Sequence, residues 1–313
     1  MGTNDKIGKI ALGTDVYGSD LDKDTATDLL NEFCELGGNV IDTALMYGGQ
    51  DEHISEKFLG RWMKDKKNRN SLFISTKGAH PRVETMNISR LSKEELEHDI
   101  DLSLKNLGID YIDIYWLHRD DERLPVEPIM DTLNEFVKKG KTRYIGMSNW
   151  TSERINKANE YAIKNNMAPI ISSQIQYSAA KAVVENNDPT LVLMNDNEYR
   201  YFKNHDLSVF AFASQAKGFF SKLDAGGEEM LSEKARERYL CDTNLKIYEN
   251  IKQIQKNINA SVGALAIAAL VNDNNFQTIP IIGCKNLDQL HDTMSGADIK
   301  LTQKDCEFIL QRS

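Results

Sequence analysis

The chain has 313 residues, 41% of them hydrophobic, and carries a formal net charge of −9. That balance excludes a general nucleic-acid surface, which needs a basic face, and argues against docking on anionic lipid. The opening MGTNDKIGK lacks the apolar core of a signal peptide, and the longest apolar stretch, residues 262–271, is too short to span a bilayer.

A cytoplasmic protein with no membrane or nucleic-acid partner is therefore expected. Its oligomeric state is not readable from the sequence. Cys34, Cys241, Cys284 and Cys306 lie far apart, without the paired spacing of a zinc site or a redox couple. Scattered thiols of this kind fit a reducing cytosol.

In chain order, residues 6–16 (KIGKIALGTDV) read as a short hairpin ahead of the first barrel strand. Strand-like runs follow at 39–43, 72–76, 112–117, 143–147, 170–175, 207–212 and 278–282, with a weaker eighth at 297–300. Most are continuous or β-branched apolar blocks, the pattern of strands covered on both faces. The stretches between them have helical signals. Ser92-Lys-Glu-Glu95 predicts a capping box, Leu96, Ile100, Leu104 and Leu107 form one apolar stripe, and Gly108 ends the helix. Further helices start at Ser152 and at Ser261, the latter apolar around most of its circumference.

Strand then helix, repeated about eight times, is the pattern of an α/β chain folded as a (β/α)8 TIM barrel. A single domain over residues 1–313 is expected, since barrels commonly use this length for one. A doubly wound sheet would place a Gly-rich turn after an early strand, and this chain has DTALMYGG there instead. The connections after Ile175 and Phe212 are long and polar. Loops of that kind on the C-terminal face usually bind or cover ligands.

Four residues fall at or just beyond the ends of three of these runs. Asp42 ends NVID, Tyr47 comes five residues later, Lys77 ends LFISTK and His118 ends DIYWLH. A free phenol has a pKa of about 10 and is a poor acid at neutral pH. A neighbouring ammonium stabilises the phenolate that forms, so Lys77 is expected to activate Tyr47 while Asp42 holds Lys77. His118, as a neutral imidazole, would donate a hydrogen bond to the same substrate oxygen. Such a pocket suits hydride attack on a carbonyl, with the hydride supplied by a cofactor. Any one of the four, taken singly, is more often a structural ion pair or a packing residue. His53, His80, His98, His205 and His291 show no metal-ligand spacing and read as surface or loop residues; no metal is expected.

With these residues and their flanks, LGTD, NVIDTALMYGGQDEHISEKFLG, LFISTK, LGIDYIDIYWLH, YIGMSNW, SSQIQYS, AFASQAKGFF and IPIIGCKNLDQL, the chain resembles the aldo-keto reductases over essentially its whole length. The resemblance implies NADP(H) bound extended across the C-terminal mouth, and carbonyl reduction with Tyr47 as the acid. It places Ser148, Asn149 and Gln174 on the nicotinamide carboxamide, Phe212 against the nicotinamide ring, and Thr14 and Asp15 near its ribose. Ala213, Gln215 and Lys217 fall in the loop over the pyrophosphate, and Gly283, Cys284, Lys285 and Gln289 in the adenosine-phosphate segment.

The chain departs from the family pattern at Gln289, often Arg there, at Lys285, Arg in many bacterial members, and at Cys284, often Ser or Thr. A lysine still pairs with a phosphate, as a point charge, so NADPH is favoured, with NADH possible. Oxidation of Cys284 is expected to impair cofactor binding. The expected substrate is a small aldehyde, ketone or sugar-like carbonyl, near Tyr17, Trp150 and Tyr177, with Arg119, Asp120 and Asp121 either binding hydroxyls or ion-paired. Two other readings remain open in the sequence. One is a nicotinamide-binding regulatory subunit, like the potassium-channel β subunits. The other is an enzyme that recycles bound cofactor during dehydration, epimerisation or sugar bond cleavage.

Overall fold

The structure, a computed structural model, describes residues 7–49 and 52–312. Eight strands follow in chain order: β1 (Ala11–Gly13), β2 (Val40–Asp42), β3 (Phe73–Gly78), β4 (Ile112–Leu117), β5 (Thr142–Ser148), β6 (Ile170–Gln176), β7 (Ser208–Phe212) and β8 (Thr278–Ile282). They close in that order into a barrel with helices between the strands, the expected (β/α)8 architecture. The chain packs as two compact units, Met1–Gln174 and Ile175–Ser313, and their boundary falls inside β6.

In the first unit the strands pair in parallel. The register sets Asp42 opposite Ser75, Lys77 opposite Trp116, Trp116 opposite Gly146, and Ser148 opposite Gln174. Every residue of β2, β3 and β4 is buried, which is why these runs are continuous apolar blocks and do not alternate. Side chains two apart on a strand share a face, so Ser75 and Lys77 point the same way, as do Trp116 and His118.

The helix Lys93–Leu107 begins where the Ser92 side chain accepts from the backbone N–H of Glu95 and ends on Gly108, whose φ of 63° is left-handed. Glu95 does not complete a capping box; its carboxylate accepts from Arg90 at 3.0 Å. Leu96, Ile100 and Leu107 of the stripe are buried, while Leu104 is only half-buried. In the second unit, Ser261 caps the helix Val262–Asn272, which is buried at eight of its 11 positions.

Two expectations change. Ala11–Gly13 pairs in parallel with β2 and is itself the first barrel strand, where a hairpin was expected; Lys6 lies outside the described residues, as do Gln50 and Asp51. Residues 297–300 complete a turn and an irregular link between the helices Leu287–Ser295 and Gln303–Leu310 rather than an eighth strand. The run Ala-Asp-Ile-Lys has one large apolar side chain and cannot fill a strand covered on both faces.

Candidate active site

Asp42 closes β2, Lys77 stands one residue from the end of β3, His118 directly follows β4, and Tyr47 sits on the turn after β2. The structure brings all four together. Lys77 is 1% exposed, and its Nζ donates to Asp42 Oδ2 at 2.6 Å, to the Thr43 carbonyl at 2.8 Å and to the Tyr47 hydroxyl at 3.1 Å. An ammonium has three protons and no acceptor, so these bonds spend all three. The Tyr47 oxygen is therefore the acceptor, and its own proton is left for another oxygen.

Burial pulls the Lys77 ammonium toward neutrality, but Asp42 and Tyr47 outweigh it and hold its pKa above the ordinary lysine value. Burial likewise raises the Tyr47 phenol, and Lys77 only partly offsets this. Lys77 was expected to bring Tyr47 down overall; desolvation of the phenolate wins instead. The phenol therefore stays protonated at neutral pH, as a proton donor must.

His118 is 7% exposed and lies edge-on to Tyr47, ring centres 5.9 Å apart, and to His80 at 4.8 Å. Burial first, then the charges of Lys77 and Arg119, holds its pKa well below the ordinary histidine value. The ring is neutral. Its buried Nδ1 has no hydrogen-bond partner among the described residues.

Around this centre, Asn149 takes a left-handed φ of 58° and donates from Nδ2 to the Ser148 hydroxyl at 3.1 Å. Gln174 Nε2 donates to Asp42 Oδ1 at 3.0 Å. The Thr14 hydroxyl is tied to the Asp42 carbonyl and to Ser55, whereas Asp15 is exposed. Tyr17, Trp150 and Tyr177 are all buried, at 1%, 0% and 2% exposure. The Arg154 guanidinium lies 4.8 Å over the Trp150 ring and pairs with Asp120 at 3.1 Å, while Asp121 pairs with Arg123 at 2.7 Å. Both acids after His118 are thus ion-paired. His80, expected on the surface or in a loop, lies in the loop after β3 and is buried beside His118.

In the second unit, the chain after β7 passes through left-handed φ at Ala213, Ala216 and Lys217 in turn, then at Gly218. Non-glycine residues held there store strain, which clusters at ligand-binding loops. Gln215 accepts from the Gly283 N–H at 2.9 Å and donates to Thr293 at 3.1 Å, locking this loop to the segment after β8. Phe212 is half-buried at the end of β7. Gln289 accepts from the Lys285 N–H at 2.9 Å, so it is turned onto its own backbone, and the Lys285 side chain is exposed. Cys284 is buried, and burial pushes its thiol up to about 12, which disfavours the thiolate needed for oxidation.

Sequence reasoning missed Ser75, whose hydroxyl donates to Asp42 Oδ1 at 2.7 Å. Its position was the available signal: it stands two residues before Lys77, on the same face of β3. Among the described residues, no group of three or more His, Cys, Asp or Glu is placed to hold a metal ion.

A family model described as the aldo/keto reductase family matches residues 9–311. The chain is 29% identical over 283 residues to "Aldo-keto reductase yakc [NADP(+)]" of Schizosaccharomyces pombe, covering 88% of this chain and 78% of that one. It is 26% identical over 318 residues to "Norsolorinic acid reductase stcV" of Emericella nidulans, covering 96% and 76% respectively. A crystal structure of a thermostable aldo-keto reductase, Tm1743, with the inhibitor epalrestat superposes with a TM-score of 0.70 at 24% identity, over 97% of this chain and 95% of that one. That likeness concerns the fold.

Proposed function

The chain belongs to the aldo/keto reductase family, and from that premise we propose that it moves a hydride from NADPH to a small aldehyde, ketone or sugar-like carbonyl, with Tyr47 as the general acid. The observation that carries this reading is the Lys77 ammonium, whose three protons go to Asp42, Thr43 and Tyr47. That arrangement leaves the phenolic proton of Tyr47 for the carbonyl oxygen, beside an imidazole kept neutral by burial. Lys77 meets the negative charge that grows on the phenol oxygen, Asp42 anchors Lys77, and His118 orients the substrate oxygen.

The residues present fit a phosphorylated nicotinamide. Ser148, Asn149 and Gln174 provide the hydroxyl and amide groups that pair with a carboxamide. In the second unit, Lys217 and Lys285 are exposed cations, and the Gln215 side chain braces the left-handed loop. The bound cofactor would supply the hydride. A relative whose name includes NADP(+) supports NADPH over NADH.

The test is nicotinamide oxidation with a panel of aldehydes, diketones and reducing sugars, using NADPH and NADH in parallel. Tyr47→Phe should lower kcat by about 10²-fold or more and leave NADPH affinity within about twofold, since the phenol acts on substrate. Parent-like turnover by Tyr47→Phe would remove Tyr47 from the role.

A further inference from the structure

Below the four residues runs a chain of hydrogen bonds with only one possible direction. Trp116 Nε1 lies 2.7 Å from Ser75 Oγ, and Ser75 Oγ lies 2.7 Å from Asp42 Oδ1. An indole N–H only donates, so the serine oxygen must accept it. The serine proton is then turned onto the carboxylate. Gln174 Nε2 donates to the same Oδ1, and Lys77 is bonded to Oδ2. Asp42, Ser75, Trp116 and Gln174 are each no more than 2% exposed.

The indole has little room to move. On β5, Gly146 is the register partner of Trp116, and a Cβ there would come within 2.3 Å of the indole ring. Only glycine admits the ring at this depth. Without Ser75, Oδ1 keeps only the longer bond from Gln174, and a buried carboxylate held less firmly on that side would turn further toward the one ammonium beside it. Lys77 would then be drawn off the phenol oxygen.

We propose that Ser75 and Trp116 are positioning residues that keep Asp42 singly engaged with Lys77 and so set how strongly Lys77 supports proton donation by Tyr47. This rests on Tyr47 being the acid. The competing role is structural: Ser75 merely satisfies a buried indole N–H, which is costly to leave unpaired.

The experiment compares the parent with Ser75→Ala, Ser75→Thr, Trp116→Phe and Ser75→Ala/Trp116→Phe, and runs Tyr47→Phe beside them. Each is measured for kcat and KM of carbonyl reduction across pH and for melting temperature. Ser75→Ala should lose about tenfold in kcat with KM within about twofold. Its alkaline limb should move up, because a phenol less supported by Lys77 holds its proton more tightly.

Ser75→Thr keeps a hydroxyl and should restore the parent profile. The double variant strands no N–H, and the cavity left by the indole is already present in Trp116→Phe. Ser75→Ala should therefore cost less melting temperature in that background than in the parent, yet keep its kinetic defect. Parent-like kcat and alkaline limb in the double variant would overturn the inference, as would a kinetic recovery that tracks melting temperature. An inactive Tyr47→Phe beside a parent-like Ser75→Ala overturns this inference alone; a parent-like Tyr47→Phe removes the acid assignment and the inference with it.

Discussion

In the proposed role His118 donates a hydrogen bond without carrying charge, and its surroundings favour the neutral ring. Burial and the nearby Lys77 and Arg119 cations all oppose an imidazolium. In the unfolded chain the same ring takes up a proton below about pH 6.5. Its folded pKa is depressed, so its contribution to stability is present above that value and lost as pH falls through the window below it. His118→Asn should therefore lose less melting temperature than the parent between pH 8 and pH 5.5, with circular dichroism as the measurement. The parent's kcat should show no acid limb near 6.5 from this group. A limb there that His118→Asn abolishes would contradict a neutral ring. The four residues were legible because a titratable group ending an apolar run is conspicuous. Ser75 and Trp116 were not, since a serine within a strand and a tryptophan in a core raise no alarm singly. Their meaning comes from the cross-strand pairing of Ser75 with Asp42 and of Trp116 with Lys77, which only strand register reveals.

The segment after β4 is fixed by an ion pair rather than by apolar packing alone. Asp120 and Arg154 are each 9% exposed on their side chains, and Arg154 comes from the helix Ser152–Lys164. Burial pushes the Asp120 carboxyl up to about 6 even though Arg154 opposes the shift. Arg154→Met should cost about 3 kcal/mol, the low end for a broken buried pair, because Asp120 can neutralise itself by taking up a proton. Arg154→Met/Asp120→Asn should recover most of that loss; denaturant titration at pH 7 measures both. Strand elements were read well where they were long and continuous, as at 112–117, which coincides with β4. The two failures have separate causes. β1 is only three residues long, with Gly8 shortly before it and Gly13 at its end, so it reads as part of a turn-rich hairpin, although it pairs with β2. Residues 297–300 stay outside any strand because nothing in that run could fill one covered on both faces.

Taken across the whole molecule, the thiols divide into two classes. Cys284 and Cys306 are buried, and both are pushed up to about 12, whereas Cys34 and Cys241 are half-buried. At pH 8 a thiol of that strength is thiolate in about one molecule in ten thousand. A thiol reagent should label Cys34 and Cys241 ahead of Cys284 and Cys306 in the native protein, and all four in denaturant, with mass spectrometry assigning the sites. Rapid native labelling of Cys284 would contradict its burial. No helix among the described residues is long and apolar enough to cross a membrane.

The tryptophans divide in a comparable way, and here the division has an optical use. The Trp62 indole donates to Asn31, the Trp150 indole to the Arg119 carbonyl, and the Trp116 indole to the serine that holds Asp42. Each of the three chromophores thus reports on a different place, and Trp116 lies one serine away from the Asp42 carboxylate. With Trp62 and Trp150 replaced by phenylalanine, the emission of the remaining indole becomes a built-in spectroscopic readout of the charge and hydrogen bonding at Asp42.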